Sequence, residues 1–237
     1  MSGYNVVMAE VKSGSDERED VGMDETGRLM ARIRDEQGQR ILEAASELLS
    51  TEGASALSVR RIAAAAGCST MGLYSRFGGK DGVVDELYAE GFERLIDAMK
   101  ANLPTDDPLA DLRRGAGCYR DAALANATHY MVMFGGAVPG FEPSDSSHEL
   151  AHGAFDGFVA KVARCTDIGL FAGSADQIAE LLWSSIHGLV MLEIVGINPL
   201  MSDPLPRFER ALDVLFQGLQ PAGLKPAGLQ PAGLDRA

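Results

Sequence analysis

Apolar residues recur at intervals of three and four along most of the chain, the spacing of one face of an α-helix. A stripe within residues 41–49 predicts a helix over about 35–51, and a stripe within 83–99 predicts a long helix over about 80–103. Further helices are predicted at roughly 108–126, 128–135, 146–167, 174–196 and 205–219. No segment shows the strict alternation of a β-strand. With the two short helices described next, the pattern predicts an all-α fold of about nine helices.

Two short helices are predicted between the first stripe and the long helix, over 58–66 and 70–76. Ser58 and Ser69 are hydroxyl residues of the kind that cap helix N-termini. Gly67 lies between the two helices and can adopt the positive φ that a tight turn requires. Two helices joined by three or four residues that include Gly form a helix-turn-helix unit. The helix over 35–51 is expected to pack across it, which predicts a three-helix domain over 32–80.

The second short helix has two unlike faces when its residues are sorted by helical spacing. Leu73 and Phe77 lie four apart and are expected to face the core, whereas an outward face collects Thr70, Met71, Tyr74 and Ser75. Hydroxyl and apolar groups on one exposed face suit a helix laid in the DNA major groove, where they meet base edges, phosphates and thymine methyls. The alternative is a helical corner that binds no ligand.

Several spaced segments resemble the tetracycline-repressor (TetR) family in their order, namely 40–45, 58–63, 66–69, 73–77 and Lys80. The resemblance implies a transcription regulator, most simply a repressor, that binds a palindromic operator as a homodimer and is released by a small-molecule effector. It implies phosphate contacts from Ser58, Tyr74 and Lys80. It also implies base reading by Thr70, Met71 and Ser75, with Ser69 beside them. Cys68 departs from the family pattern, which usually has an aliphatic residue there, and we expect it to be a small core residue.

The last two predicted helices are the most apolar of the chain. Residues 178–195 are apolar on more than one side of their helix, and Leu212, Leu215 and Phe216 form a second stripe. A helix that is apolar nearly all round is buried in a core or against a partner. We interpret this pair as a homodimer interface, which the resemblance also implies, while an entirely intramolecular core is the alternative. Two copies related by a twofold axis would present two recognition helices to a palindromic operator.

Residues 183–188 resemble the Trp-x-x-x-His-Gly segment of one branch of TetR regulatory domains. Aromatic and methionine side chains in this half of the chain suit a pocket for a small hydrophobic or aromatic effector. The candidate pocket residues are Tyr119, Met133, Phe134, Phe155, Trp183 and His187, with Met131 and Phe158 as further aromatic or methionine residues of the same kind. The alternative for all of them is ordinary core packing.

One motif favours a different function. His148, Glu149 and His152 form an HExxH sequence, which in a helix places two imidazoles on one side and a carboxylate near a zinc-bound water. No further ligand follows at a known spacing, and no Ser-His-Asp set, Walker loop or dinucleotide fingerprint is present. We therefore expect no enzyme, no metal and no cofactor. A zinc hydrolase and a helix-turn-helix module that binds protein stay as alternatives.

Charge and composition refine this picture. The net charge is −13, yet residues 32–80 carry seven basic and five acidic side chains, so one end is locally positive on an acidic body. The chain has no apolar run of about 20 residues, no signal-peptide pattern, and three cysteines without a CxxC pair, which fits a cytoplasmic protein that is not membrane-inserted. Residues 1–31 are expected to form a disordered arm, 81–219 a ligand-binding and dimerisation domain, and 220–237 a disordered tail of Pro-Ala-Gly-Leu repeats.

Overall fold

A computed structural model describes residues 36–197 and 203–221. Within these residues the chain forms nine α-helices, one short 3₁₀ turn and no β-strand, which confirms the all-α prediction. The predicted arm over 1–31 and residues 222–237 of the predicted tail lie outside the described residues. The helices are α1 Glu36–Glu52, α2 Val59–Ala65, α3 Thr70–Phe77, α4 Lys80–Ala101, α5 Pro108–Ala125, α6 Ala127–Phe134, α7 Asp145–Asp167, α8 Ala175–Ile194 and α9 Pro204–Leu219.

The short helices α2 and α3 begin and end where the sequence places caps. Ser58 Oγ accepts a hydrogen bond from the Arg61 amide at 3.3 Å, and Ser69 Oγ accepts one from the Gly72 amide at 3.0 Å. Each bond satisfies a backbone N–H that has no partner inside its helix. Gly78 ends α3 with φ of 70°, a left-handed conformation that favours Gly. These local signals hold α3 at a fixed angle to α2.

A first hydrophobic core joins α1, α2 and α3 to the N-terminal half of α4. Ile41 and Ala45 of α1 and Ile62 of α2 are fully buried in it, together with Leu73 of α3 and Val84 of α4. Cys68 is half-buried and packs against the same cluster, as expected for a small core residue. The outward face of α3 is therefore held from behind by a continuous apolar core.

A second hydrophobic core lies among α5, α7, α8 and α9. Val162, Leu182, Val190 and Leu212 are fully buried in it. The guanidinium of Arg120 on α5 donates twice to the Glu193 carboxylate of α8, with Nε 2.9 Å from Oε2. Both of these side chains are largely buried, so the paired hydrogen bonds satisfy charges that burial would otherwise penalise.

Helices α4 and α6 connect the two cores. Val84 near the start of α4 lies in the first core, and Leu95 near its end lies in the second. On α6, Tyr130 lies in the second core and Val132 in the first. The helices cross at Gly91, where an added Cβ would lie 2.4 Å from Met133 Sδ and 3.2 Å from His129 Cβ. The absence of a side chain on Gly91 thus allows this close approach, and a larger residue would require Met133 to shift.

Asp111, at the start of α5, anchors the loop that follows α4. Its buried carboxylate accepts hydrogen bonds from the Thr105 amide at 2.8 Å and hydroxyl at 2.6 Å, and from Arg164 of α7 at 2.7 Å. Arg114 pairs with the same carboxylate. Donation from Thr105 is the main reason that the pKa of Asp111 lies well below its usual range, and the two arginines lower it further.

We expect Asp111→Asn to lower Tm at pH 7, because the new amide would present N–H groups to donors that now face a carboxylate. A carboxyl with a depressed folded pKa contributes stability above its unfolded pKa and loses it as the pH falls. The difference in Tm between wild type and variant should therefore shrink below about pH 4. Asp106→Asn, in the exposed part of the same loop, is the control for thermal melts across this range. A loss of Tm that does not change with pH would contradict this role for the Asp111 charge.

Candidate functional site

The outer face of α3 is exposed and carries large apolar groups. The side chain of Met71 is 74% exposed and that of Tyr74 is 52% exposed, and Thr70 and Ser75 are also exposed. Leu73 and Phe77 are buried on the opposite face. Ser75 Oγ donates to the Gly72 carbonyl oxygen at 3.0 Å, so its oxygen lone pairs remain available to a ligand. The arrangement is a rigid surface that offers hydroxyls, a phenol and a thioether to a partner.

The other predicted contact residues lie around this face. The Ser58 and Ser69 hydroxyls accept the cap bonds, which leaves each O–H free to donate to an external oxygen. Lys80 begins α4, and its ammonium lies 3.5 Å from an Asp81 carboxylate oxygen on the surface. An added Cβ on Gly79, the residue before Lys80, would lie 3.6 Å from Tyr74 Cε1. The phenol of Tyr74 is therefore next to the start of α4.

A cavity of about 540 Å³ lies between α4, α5, α6, α7 and α8. Of the predicted pocket residues, the cavity wall includes Tyr119, Met133, Phe134, Phe155 and Trp183, and also Phe158. His187 and Met131 are not part of the wall. The His187 ring stacks behind Trp183, with ring centroids 5.3 Å apart. The cavity volume and its mainly apolar wall are within the range of small-molecule sites.

The wall also has residues that the sequence interpretation missed. Tyr88, Phe92, Leu95 and Met99 of α4 line one side, at helical spacing. That spacing was visible in the sequence, but the same residues equally fit the packing face of a long helix. The mouth carries His152 of α7 and Asp176 and Glu180 of α8, all three exposed. The predicted pocket contained none of these three polar residues.

A chain of hydrogen bonds runs from the cavity wall into the core. The hydroxyls of Tyr119 and Tyr130 are 2.8 Å apart, and the Tyr130 hydroxyl is 2.7 Å from His187 Nδ1. Burial raises the pKa of Tyr119 to about 12 and holds the pKa of Tyr130 far above its usual value. Burial also lowers the pKa of His187. All three groups are therefore neutral at pH 7, and this end of the site carries no charge.

The HExxH residues lie on the surface of α7. His148, Glu149 and His152 are exposed on the first two turns of α7. Across 36–197 and 203–221, no group of three or more His, Cys, Asp or Glu side chains is placed to hold a metal ion. The zinc-hydrolase alternative is not favoured. In the same part of the chain, every helix is too short or too polar to cross a membrane.

Two family models match the chain. Residues 41–87 match the model described as "Bacterial regulatory proteins, tetR family", and residues 112–215 match "Tetracyclin repressor-like, C-terminal domain". Together these matches span more than half of the sequence. No curated protein matches the chain.

Solved structures have the same fold. A protein of unknown function from Rhodococcus sp. RHA1 is 25% identical, with 78% of this chain and 96% of that one covered at a TM-score of 0.68. The TetR family transcriptional regulator PfmR from Thermus thermophilus is 22% identical over 76% and 99% of the two chains, with a TM-score of 0.61. The fatty acid degradation regulator FadR from Bacillus halodurans is 16% identical over 78% and 97%, with a TM-score of 0.65.

The order of the matching sequence segments, the helical architecture and both family models indicate the same family. The chain belongs to the tetracycline-repressor (TetR) family of transcription regulators, with a helix-turn-helix DNA-binding domain followed by a TetR-type C-terminal domain.

Proposed function

We propose that the protein is a repressor that binds a palindromic operator as a homodimer and leaves it when a small molecule fills the cavity. The observation that carries this proposal is the exposed face of α3. Thr70, Met71 and Ser75 would read base edges in the major groove, while Leu73 and Phe77 fix the helix from behind. Tyr74, Lys80, Ser58 and Ser69 would donate to phosphates around it.

The proposed homodimer interface is the outer side of α8 and α9. Leu181 and Leu192 on one side of α8, and Val195 at its C-cap, are 49%, 44% and 42% exposed. Ser185 and Gly188 lie between them at spacings of three and four, which allows a partner helix to approach closely. Val214 of α9 is 56% exposed. Water-exposed apolar residues in such a row are typical of an interaction surface.

Helix α6 is the proposed link between the cavity and the DNA-binding domain. Met133 and Phe134 line the cavity, whereas Val132 packs in the core behind α3. His129 Nε2 lies 3.2 Å from Glu90 Oε2 of α4. A molecule that displaces Met133 or Phe134 would move α6 against α1 and α4. Release from DNA requires that the effector bind one arrangement of the protein more tightly than the other. We propose that the two arrangements differ in the position of α6.

The branch of the family stays a prediction. Trp183 and His187 stack on each other, and Trp183 lines the cavity while His187 bonds Tyr130. A role of the Trp-x-x-x-His-Gly segment in supporting the effector site is consistent with this placement, and we propose it in that form.

The DNA-binding proposal is tested on an operator selected from a random DNA pool. We expect Tyr74→Phe to weaken binding roughly tenfold on operator and non-specific DNA alike, because a hydrogen bond to a charged phosphate is lost. Thr70→Ala should weaken operator binding and leave non-specific binding unchanged. Fluorescence anisotropy at fixed salt measures both, and Ser55→Ala, an exposed hydroxyl in the 3₁₀ turn, is the control. A Tyr74→Phe effect confined to one base position would contradict phosphate binding. Failure to select any sequence would contradict the function.

The dimer proposal is tested by placing charge on the outer surface. We expect Val214→Glu or Leu192→Glu to raise the dimer dissociation constant at least about tenfold, since each variant buries an unpaired charge in the interface. Light scattering after gel filtration measures the mass. Leu103→Glu replaces an apolar residue that is 74% exposed after α4 and should leave the dimer intact. A dimer that survives both α8 and α9 variants would place the interface elsewhere.

The link through α6 is tested at Gly91. We expect Gly91→Ala to lower operator affinity by about fivefold or more, the usual scale of allosteric coupling, because the methyl group pushes Met133 and α6 away from α4. Adding Met133→Ala should restore much of the affinity by making room. Gly117→Ala is the control, since an added Cβ there meets nothing within 4 Å. Reduced Tm with unchanged operator affinity would show that the crossing is structural only.

A further inference from the structure

The wall of the cavity is mainly aromatic and aliphatic. Phe92 and Phe134 pack edge to face with ring centroids 5.5 Å apart, and Phe155 packs against Trp183 at 6.0 Å. A site of this kind takes an apolar body by displacing water from it. The apolar wall alone does not distinguish a neutral molecule from a charged one. That distinction depends on the few polar groups around the cavity.

The acidic groups lie together on one face of α8. Asp176, Glu180 and Trp183 follow at spacings of four and three, and all three line the cavity. The two carboxylates are exposed at the mouth, and the indole lies one turn further in. Among the described residues that line the cavity, none is Lys or Arg. The mouth therefore has two negative charges beside the aromatic ring that binds cations best.

The remaining charged and titratable groups near the cavity do not offset these acids. The ammonium of Lys161 donates to the Met99 carbonyl oxygen at 3.0 Å, and Lys161 is not a wall residue. The chain from Tyr119 to His187 is neutral at the other end of the site. His152 of α7 faces the mouth, and it is the one histidine among the described residues that line the cavity. An anion entering this cavity would meet two carboxylates and no permanent cation.

We infer that the cavity takes a lipophilic cation, a molecule with an apolar or aromatic body and one positive charge held at the mouth by Asp176, Glu180 and the face of Trp183. The inference rests on the proposed function in treating this cavity as the effector site. The body of the cation fills the space between α4, α6 and α7. Its charge stays near the solvent, where the Asp176 and Glu180 carboxylates are exposed and Asp176 accepts a hydrogen bond from the Ser174 hydroxyl.

The test compares two probes of nearly equal size and shape but opposite charge, tetraphenylphosphonium and tetraphenylborate, in sodium buffer. Trp183 is the single tryptophan of the chain and lines the cavity, so its fluorescence reports occupation directly. We expect the full-length protein to bind the cation at least about tenfold more tightly than the anion, the equivalent of two partly exposed ion pairs. Affinity for the cation should fall as salt is raised.

The variants assign the preference to the mouth. We expect Glu180→Gln and Asp176→Asn each to weaken the cation by roughly three- to tenfold and to leave the anion unchanged or tighter. Asp156→Asn removes an exposed charge of α7 outside the cavity wall and should leave both affinities unchanged. Circular dichroism checks that each variant is folded. Equal or tighter binding of the anion, or a cation affinity insensitive to both α8 variants, overturns the inference.

A second readout separates this inference from the proposed function. Tetraphenylphosphonium is added to the complex of the protein with its selected operator. If the cation releases DNA from the wild-type protein, and releases less from Glu180→Gln, the result supports both the cation site and the repressor function. Charge-selective binding in the cavity without any operator complex supports the cation site and contradicts the repressor function. If the cation does not bind and the operator complex stays intact, the cation site is overturned and the repressor function is left in place.

Discussion

The close crossing of α4 and α6 at Gly91 is the constraint on which the rest of the structure depends. Side chains that are two residues apart on α6 point to different sides of the helix. Tyr130 therefore enters the C-terminal core and Val132 the N-terminal core. Met133 packs directly over Gly91, where an added Cβ would lie 2.4 Å from Met133 Sδ and would force that side chain to shift. Because packed interiors lack free volume, a displacement of α6 on one side must be taken up on the other. A single short helix thus contacts both the cavity and the core behind α3, which is the structural basis of the proposed link.

Helix α9 has one buried face and one exposed face. Phe208, Leu212 and Phe216 of α9 lie at spacings of four and are buried against the rest of the domain. Arg113 of α5 pairs with Glu209 and Asp213 and lies 5.4 Å from the Phe216 ring centroid, which holds α9 on its inner side. The exposed side of α9 carries Val214 together with Arg210 and Gln217. The proposed subunit interface uses this exposed side of α9, with Val214 as its apolar contact.

The sequence predicted this fold well because its signals are local. Ser58, Ser69 and Gly78 set helix ends through hydrogen bonds within a few residues, and the helices were located to within about three residues of their bounds. The cavity was predicted less completely. His187 and Trp183 share a helix face by spacing, yet only Trp183 reaches the cavity, because the His187 ring is turned toward Tyr130. Which of two neighbouring side chains lines a void is decided by distant elements, and spacing does not contain that information.

The distribution of charge around the cavity could not be predicted from spacing either. It depends on which charged side chains are buried and which lie at the mouth. Asp176 and Glu180 appear in the sequence as ordinary polar residues at the start of an apolar helix, and such residues are usually solvated or stabilise the helix N-terminus. Their position at the mouth depends on α7 lying across from them. The polar groups in the chain from Tyr119 to His187 are neutral, since desolvation raises the pKa of both tyrosines and lowers the pKa of His187. Fixed charge in this site is therefore confined to the entrance, and it is negative. In the proposed ligand, the apolar part would be selected by the interior and the charge at the boundary with water.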